Sequence, residues 1–219
     1  MMIDCKNFPV YTSAKARAYI AMRSVRGAYR MLGQGLDESY VIVPKHMKYK
    51  TNVKSVKILG GVAKDRVFVW HDYGPKWNGQ VATDCYEGPL ANGCRKAFPR
   101  SRASKVLEDN DPTGFKSNKG FAAKRAAKLT SFDIPKRSPD LNVLDYTIWK
   151  QVNNWTRRQD QKFSKSKRET RDAYIARLRR AAMSLPGSVV RRSIGNMRWR
   201  CEKIYRANGG HIEEGGRHK

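Results

Sequence analysis

A surplus of 26 positive charges is what any fold of this chain has to accommodate, since 45 Lys and Arg stand against 19 Asp and Glu in 219 residues. Such a surplus belongs on a surface, because an unpaired buried charge is expensive, and even on a surface it repels itself unless a polyanion relieves it. Handling a small neutral metabolite calls for no such balance; nucleic-acid phosphates are the expected partner, with DNA foremost and RNA open beside it. The chain is nonetheless expected to fold, because 40% hydrophobic residues with 5 Trp, 10 Tyr and 7 Phe supply a core that disordered basic tails lack. No run nears the ~18 apolar residues of a membrane span, so no membrane partner is expected. Asp4, Lys6 and Lys15 break the stretch that a secretory signal would keep apolar. An intracellular, DNA-associated setting, the nucleus included, follows as an expectation. Cys5, Cys85, Cys94 and Cys201 form no CxxC pair, which predicts reduced, buried thiols.

Hydrophobic periodicity divides the chain further. Phe8 and Val10 share one side of a predicted first strand over 2–11. Over 14–32, Ala18, Met22, Val25 and Tyr29 recur at helical intervals among Arg17, Arg23, Arg26 and Arg30. With Lys45 these belong to a basic stretch over 12–57, a candidate phosphate-facing arm. The runs 53–62 and 66–70 read as an antiparallel hairpin. A helix over 82–98 is predicted despite Gly88-Pro89, then a short buried strand over 105–110 ending in carboxylates. A helix over 119–129, a strand near 132–135 and a helix over 142–158 complete the order β-β-β-α-β-α-β-α, a mixed sheet flanked by helices.

Residues 151–219 are helical in pattern, with one apolar stripe at Tyr174, Leu178, Ala181, Ala182 and Leu185, and a second at Val190, Ile194, Met197, Cys201 and Ile204. The opposite faces are cationic. Arg157, Arg158, Lys165, Lys167, Arg168, Arg191 and Arg192 therefore join the arm's arginines and Lys45 as candidate nucleic-acid contacts. The expected division is a catalytic domain over 1–158, a basic helical extension over 159–208 and a disordered tail over 209–219. Trp70, Trp149, Trp155 and Trp199 are expected in the core rather than as base-stacking platforms.

In so basic a chain the acids call for a reason where they are not neutralising a neighbour. Asp109 closes a predicted buried strand, Asp145 opens a helix, and Asp4 lies on the first strand. Converging, the three would repel unless a divalent cation bridged them, and oxygen ligands suit Mg2+ or Mn2+. Two such ions about 3.5–4 Å apart support phosphodiester chemistry. Ordinary roles are open too: Asp109 can end a strand through an Asx turn, Ser138-Pro139-Asp140 is a helix-start signal, and Asp140 and Asn142 can simply fix that turn.

The segment Ser-Pro-Asp-Leu-Asn-Val-Leu-Asp-Tyr-Thr-Ile-Trp at 138–149 resembles the third signature block of mariner-like transposases and their bacterial insertion-sequence relatives. Leu107-Glu108-Asp109-Asn110-Asp111-Pro112 is similar to the second block, Asp4-Cys5-Lys6-Asn7-Phe8 to the first, and Lys57–Val62 to an intervening apolar strand with its Gly-Gly. The resemblance covers about residues 3–158. It implies an RNase H-like fold with Asp4, Asp109 and Asp145 as catalytic triad and metal ligands, 35 residues lying between the last two. It further implies DNA cleavage and joining of 3′ ends, with Mg2+ or Mn2+ as cofactor. The alternatives are a transposase-derived, catalytically inactive nucleic-acid-binding or ribonucleoprotein scaffold module, and a stand-alone nuclease of the same fold. A homodimer stands open beside a monomer.

Overall fold

In the computed structural model, β1 (Met2–Pro9), β2 (Ser55–Ala63), β3 (Arg66–Asp72), β4 (Ser104–Glu108) and β5 (Leu129–Asp133) pair in one sheet of order β3-β2-β1-β4-β5. The structure describes residues 1–9, 55–74, 76–135, 138–160, 169–210 and 212. The expected helix over 14–32, with Arg17, Arg23, Arg26, Arg30 and Lys45, lies outside the described residues, as do Lys165, Lys167, Arg168 and most of the expected tail.

β1 runs antiparallel to β2 and parallel to β4; β2–β3 is antiparallel and β4–β5 parallel. Both faces of this sheet are covered, and the strands carry apolar residues at odd and even positions accordingly. Ile3, Leu59, Val69 and Val106 point into one cluster; Met2, Phe8, Val56, Ile58 and Val62 point into the other. The first cluster is closed by α1 (Gly79–Cys85), a π-helical turn (Tyr86–Leu90), α2 (Ala91–Ala97) and α3 (Asn118–Ala126), through Val81, Cys85, Tyr86, Leu90, Cys94 and Ala123. The second is closed by a π-helical turn (Leu144–Ile148), α4 (Trp149–Asp160), α5 (Arg171–Met183) and α6 (Gly187–Arg206), through Leu144, Trp149, Val152, Tyr174, Leu178 and Val190.

Local chemistry sets the boundaries. Asn78 caps α1 by accepting from the Gln80 and Val81 amides, Ser117 caps α3 and Thr170 caps α5. Pro89 falls inside the first π turn rather than ending the helix over 82–98. Lys128 takes a left-handed φ of 55°, which turns the chain straight from α3 into β5. That is why this strand begins at Leu129, earlier than the apolar Phe132 indicates.

Phe8, Trp70 and Trp149 pack with ring centroids 5.5–5.9 Å apart. The expected core position of Trp199 is not realised: it is exposed, because the C-terminal half of α6 runs past the end of the cluster that holds Val190. The buried-thiol expectation fails there too, at exposed Cys201, and holds only in part at half-buried Cys5; Cys85 and Cys94 are buried. Among the described residues no helix is long and apolar enough to cross a membrane.

The two C-terminal helices are also tied to α4 and to the 138–145 segment by polar contacts. Buried Arg177 on α5 makes a two-pronged pair with Glu169 at 2.9 and 2.6 Å and donates to the Thr156 carbonyl. On α6, the Arg200 guanidinium lies 3.7 Å from the centre of the Tyr146 ring and donates to the Asp140 carbonyl at 3.1 Å. The Tyr146 hydroxyl in turn donates to the Ser193 carbonyl at 2.6 Å.

Candidate active site

Register brings the first two carboxylates together. Met2 on β1 pairs with Leu107 on parallel β4, so two residues further along each chain Asp4 and Asp109 emerge side by side from neighbouring central strands. Asp145 comes from the π turn that opens the helix crossing this end of the sheet. Asp4, Asp109 and Asp145 line one cleft of about 120 Å3 with Ile134, Ser138, Pro139 and Asn142.

Each carboxylate has its own partner. Asp4 Oδ2 accepts from Trp149 Nε1 at 2.9 Å, Asp109 Oδ1 accepts from the Asn110 amide at 2.6 Å, and Asp145 faces Lys6 Nζ at 3.9 Å. Asn142 Oδ1 accepts from the Leu144 amide at 3.0 Å and so fixes the turn. Among the described residues no three His, Cys, Asp or Glu side chains are gathered into a ready-made ligand set. The three aspartates share the walls of the cleft without closing on one point.

The electrostatics say what this arrangement lacks. Burial foremost, and then the charge of Asp145, push the Asp4 carboxyl up to about 7, against the opposing pull of the Trp149 indole, the Cys5 amide and Lys6. Asp145 is likewise raised by burial and by Asp109, with Lys6 opposing. Carboxylates held this way are short of positive charge, and their oxygen donors match a hard divalent cation. The residue types thus fit Mg2+ or Mn2+.

The raised Asp4 carboxyl makes stability pH-dependent. Folded Asp4 holds its proton more tightly than the unfolded chain does, so its contribution is full below the ordinary value of 3.8 and is lost as pH rises through about 7. Thermal melts in EDTA should therefore show wild type losing stability relative to Asp4→Asn between about pH 4 and pH 7 and running parallel to it above. Parallel curves across the whole range would show that Asp4 does not titrate abnormally.

Of the remaining candidates, Arg158, Arg191 and Arg192 are exposed, and Arg191 stands 3.3 Å from Asp65. Arg157 lies on α4, its side chain outside the described residues. The sequence pattern did not reveal Lys6 as the partner of Asp145. The nearest signal was its place two residues after Asp4, on the same face of the strand. Trp149 was legible only as core, since apolar spacing does not report where an indole N–H points.

No family model matches the chain, and no curated protein matches it in sequence. Solved structures do share its fold. The catalytic domain of Mos1 mariner transposase superposes with a TM-score of 0.61 at 15% identity, covering 73% of this chain and 77% of that one. A structure of that catalytic domain with raltegravir and Mg covers 97% of this chain and 85% of that one, at 13% identity and a TM-score of 0.61. The Mos1 transposase paired-end complex with left transposon end matches with a TM-score of 0.63 at 13% identity, and there this chain spans 56% of the transposase. The chain thus shares the RNase H-like fold of the Mos1 catalytic domain.

Proposed function

We propose that this chain cuts DNA by metal-assisted phosphodiester chemistry at the Asp4–Asp109–Asp145 cleft and joins the 3′ ends it produces, as a transposase does. The observation that carries this reading is the shared cleft itself: three aspartates remote in sequence line one opening where β4 ends beside the neighbouring parallel strand β1. Asp4, Asp109 and Asp145 would hold Mg2+ or Mn2+, which when bound supplies Lewis-acid activation of the nucleophile and offsets charge developing at the phosphate. Lys6, beside Asp145, is placed to meet an entering phosphate. Asn142 and the 138–142 turn orient the wall from which Asp145 projects. Exposed Arg158, Arg191 and Arg192 supply sequence-independent backbone contacts.

A second reading, a binding module that has lost catalysis, draws on the separate partner each aspartate already has. Nicking of supercoiled plasmid separates the two. Under the first reading, nicking requires Mg2+ or Mn2+, stops in EDTA and is lost in Asp109→Ala, while log affinity for DNA falls linearly with log salt in wild type and variant alike. Nicking that survives Asp109→Ala removes the cleft as the cutting site. Tight, salt-dependent binding without any metal-dependent nicking selects the second reading.

A further inference from the structure

The indole of Trp149 does two things at once. Its Nε1–H donates to Asp4 Oδ2 at 2.9 Å, and its six-membered ring lies on the bare backbone of Gly60, the residue paired with Asp4 across the β1–β2 ladder. The seat admits no side chain: a Cβ at Gly60 would stand 2.5 Å from Trp149 Cη2, 3.2 Å from Cζ3 and 3.0 Å from Leu144 Cδ2. Trp149 itself is 2% exposed and fixed in the aromatic cluster with Phe8 and Trp70. It also follows Asp145 by four residues, one helical turn away on the same side of the same helix. A single turn of helix thus presents one cleft carboxylate and grips another.

We propose that Trp149, seated on Gly60, is a positioning residue that fixes the Asp4 carboxylate relative to Asp145, so that the pair accepts a divalent cation without first being ordered. This rests on the metal-dependent reading of the cleft given above. Groups that orient a metal ligand from behind typically contribute 10–100-fold to metal affinity, and Asp4 is held here by one well-aligned N–H from a rigid ring. Gly60 belongs to the device because the ring can reach Asp4 only if nothing lifts it off the strand.

Two measurements test this, one of them without metal. In spectra of 15N-labelled protein the Trp149 indole peak is identified by its absence in Trp149→Phe. Asp4→Asn should shift that peak and hasten its hydrogen exchange, and Gly60→Ala should displace it although donor and acceptor both remain. In Mn2+ titrations followed by electron paramagnetic resonance, Trp149→Phe and Gly60→Ala should each weaken binding about 10–100-fold, with Asp145→Ala as the reference for a lost ligand. An indole peak indifferent to Asp4→Asn overturns the proposal. So does Mn2+ binding in Trp149→Phe as tight as in wild type or tighter, since the bond would then merely compete with the ion. Wild type that binds no Mn2+ sensitive to Asp145→Ala overturns the cation reading together with the proposal built on it, whereas an effect of Asp145→Ala without one of Trp149→Phe overturns the proposal alone. Should Gly60→Ala fail to fold, Trp149→Phe, which keeps an aromatic ring in the core, carries the test.

Discussion

Asp145→Asn is expected to lower metal-dependent nicking by on the order of 1,000-fold and, in the same protein, to raise the melting temperature in EDTA. The loss follows from removing one of three candidate metal ligands, since charge stabilisation by a bound cation provides several kcal/mol of the barrier reduction, and each ~1.4 kcal/mol is a factor of ten. The gain follows from the electrostatics of the cleft. Asp145 is held in a site where burial and Asp109 oppose its ionisation, and its charge in turn opposes that of Asp4. An amide of the same shape keeps the packing and removes the repulsion. Lys6, left without its partner, is substantially exposed and loses little. The gain should be a few degrees, because ~1 kcal/mol corresponds to about 2–4 °C for a chain of this size. It should appear at pH 8 and fade as pH falls past the ordinary carboxyl value of 3.8 to about 3, where the carboxyls are protonated in folded and unfolded chain alike. Calorimetry at the two pH values beside plasmid nicking measures both effects; a variant that nicks normally, or whose melting temperature drops at pH 8, contradicts this account of the cleft.

Glu108→Ala is expected to cost about 3–5 kcal/mol of stability, the usual consequence of leaving one member of a buried ion pair behind. Glu108 is fully buried at the end of β4, where it accepts from the Tyr86 hydroxyl and from Lys124 Nζ and faces Lys116 at 3.4 Å. Lys116 also pairs with Asp133, and Lys124 donates further to the Phe115 carbonyl and Ser131 Oγ. Those two acceptors cannot neutralise an ammonium that is 3% exposed. Replacing both partners by methionine should cost far less than Glu108→Ala, because no charge is then stranded. Urea unfolding of the singles and the double reads the coupling directly. If the single costs less than about 1 kcal/mol, water reaches Lys124 and the network is not buried in solution. Since Glu108 immediately precedes Asp109, the same change should loosen the strand end from which that carboxylate enters the cleft.

The order of elements along the chain could be read from the sequence because it rests on local signals, whereas the three cleft aspartates were singled out by the resemblance of their segments to the signature blocks of a known family. Alternation marks β2 and β3, and the Ser-Pro-Asp-Leu-Asn turn marks the entry to the helix that bears Asp145. What was hidden depends on contacts between distant residues. Glu108 looks like any acid at a strand end, and only Lys124 and Tyr86, brought in by helices on one face, make it a buried anchor. Both π turns escape periodicity, which assumes a constant angle per residue. Cys201 fits an apolar stripe on spacing alone, yet the helix has left the core by that point. The displaced start of β5 comes from one backbone angle at Lys128, a residue type that gives no warning of it.

The tie between Arg200, Tyr146 and the Asp140 carbonyl comes late in synthesis. Fifty-four residues lie between Asp145 and Arg200, several seconds of translation at about 5–20 residues per second. Throughout that interval all three aspartates have been made, but the wall that presents the last of them has only its packing on the strands and not yet the contacts from Arg200. The segment that carries Asp140 and Tyr146 therefore gains these polar supports only once the C-terminal helix has been made.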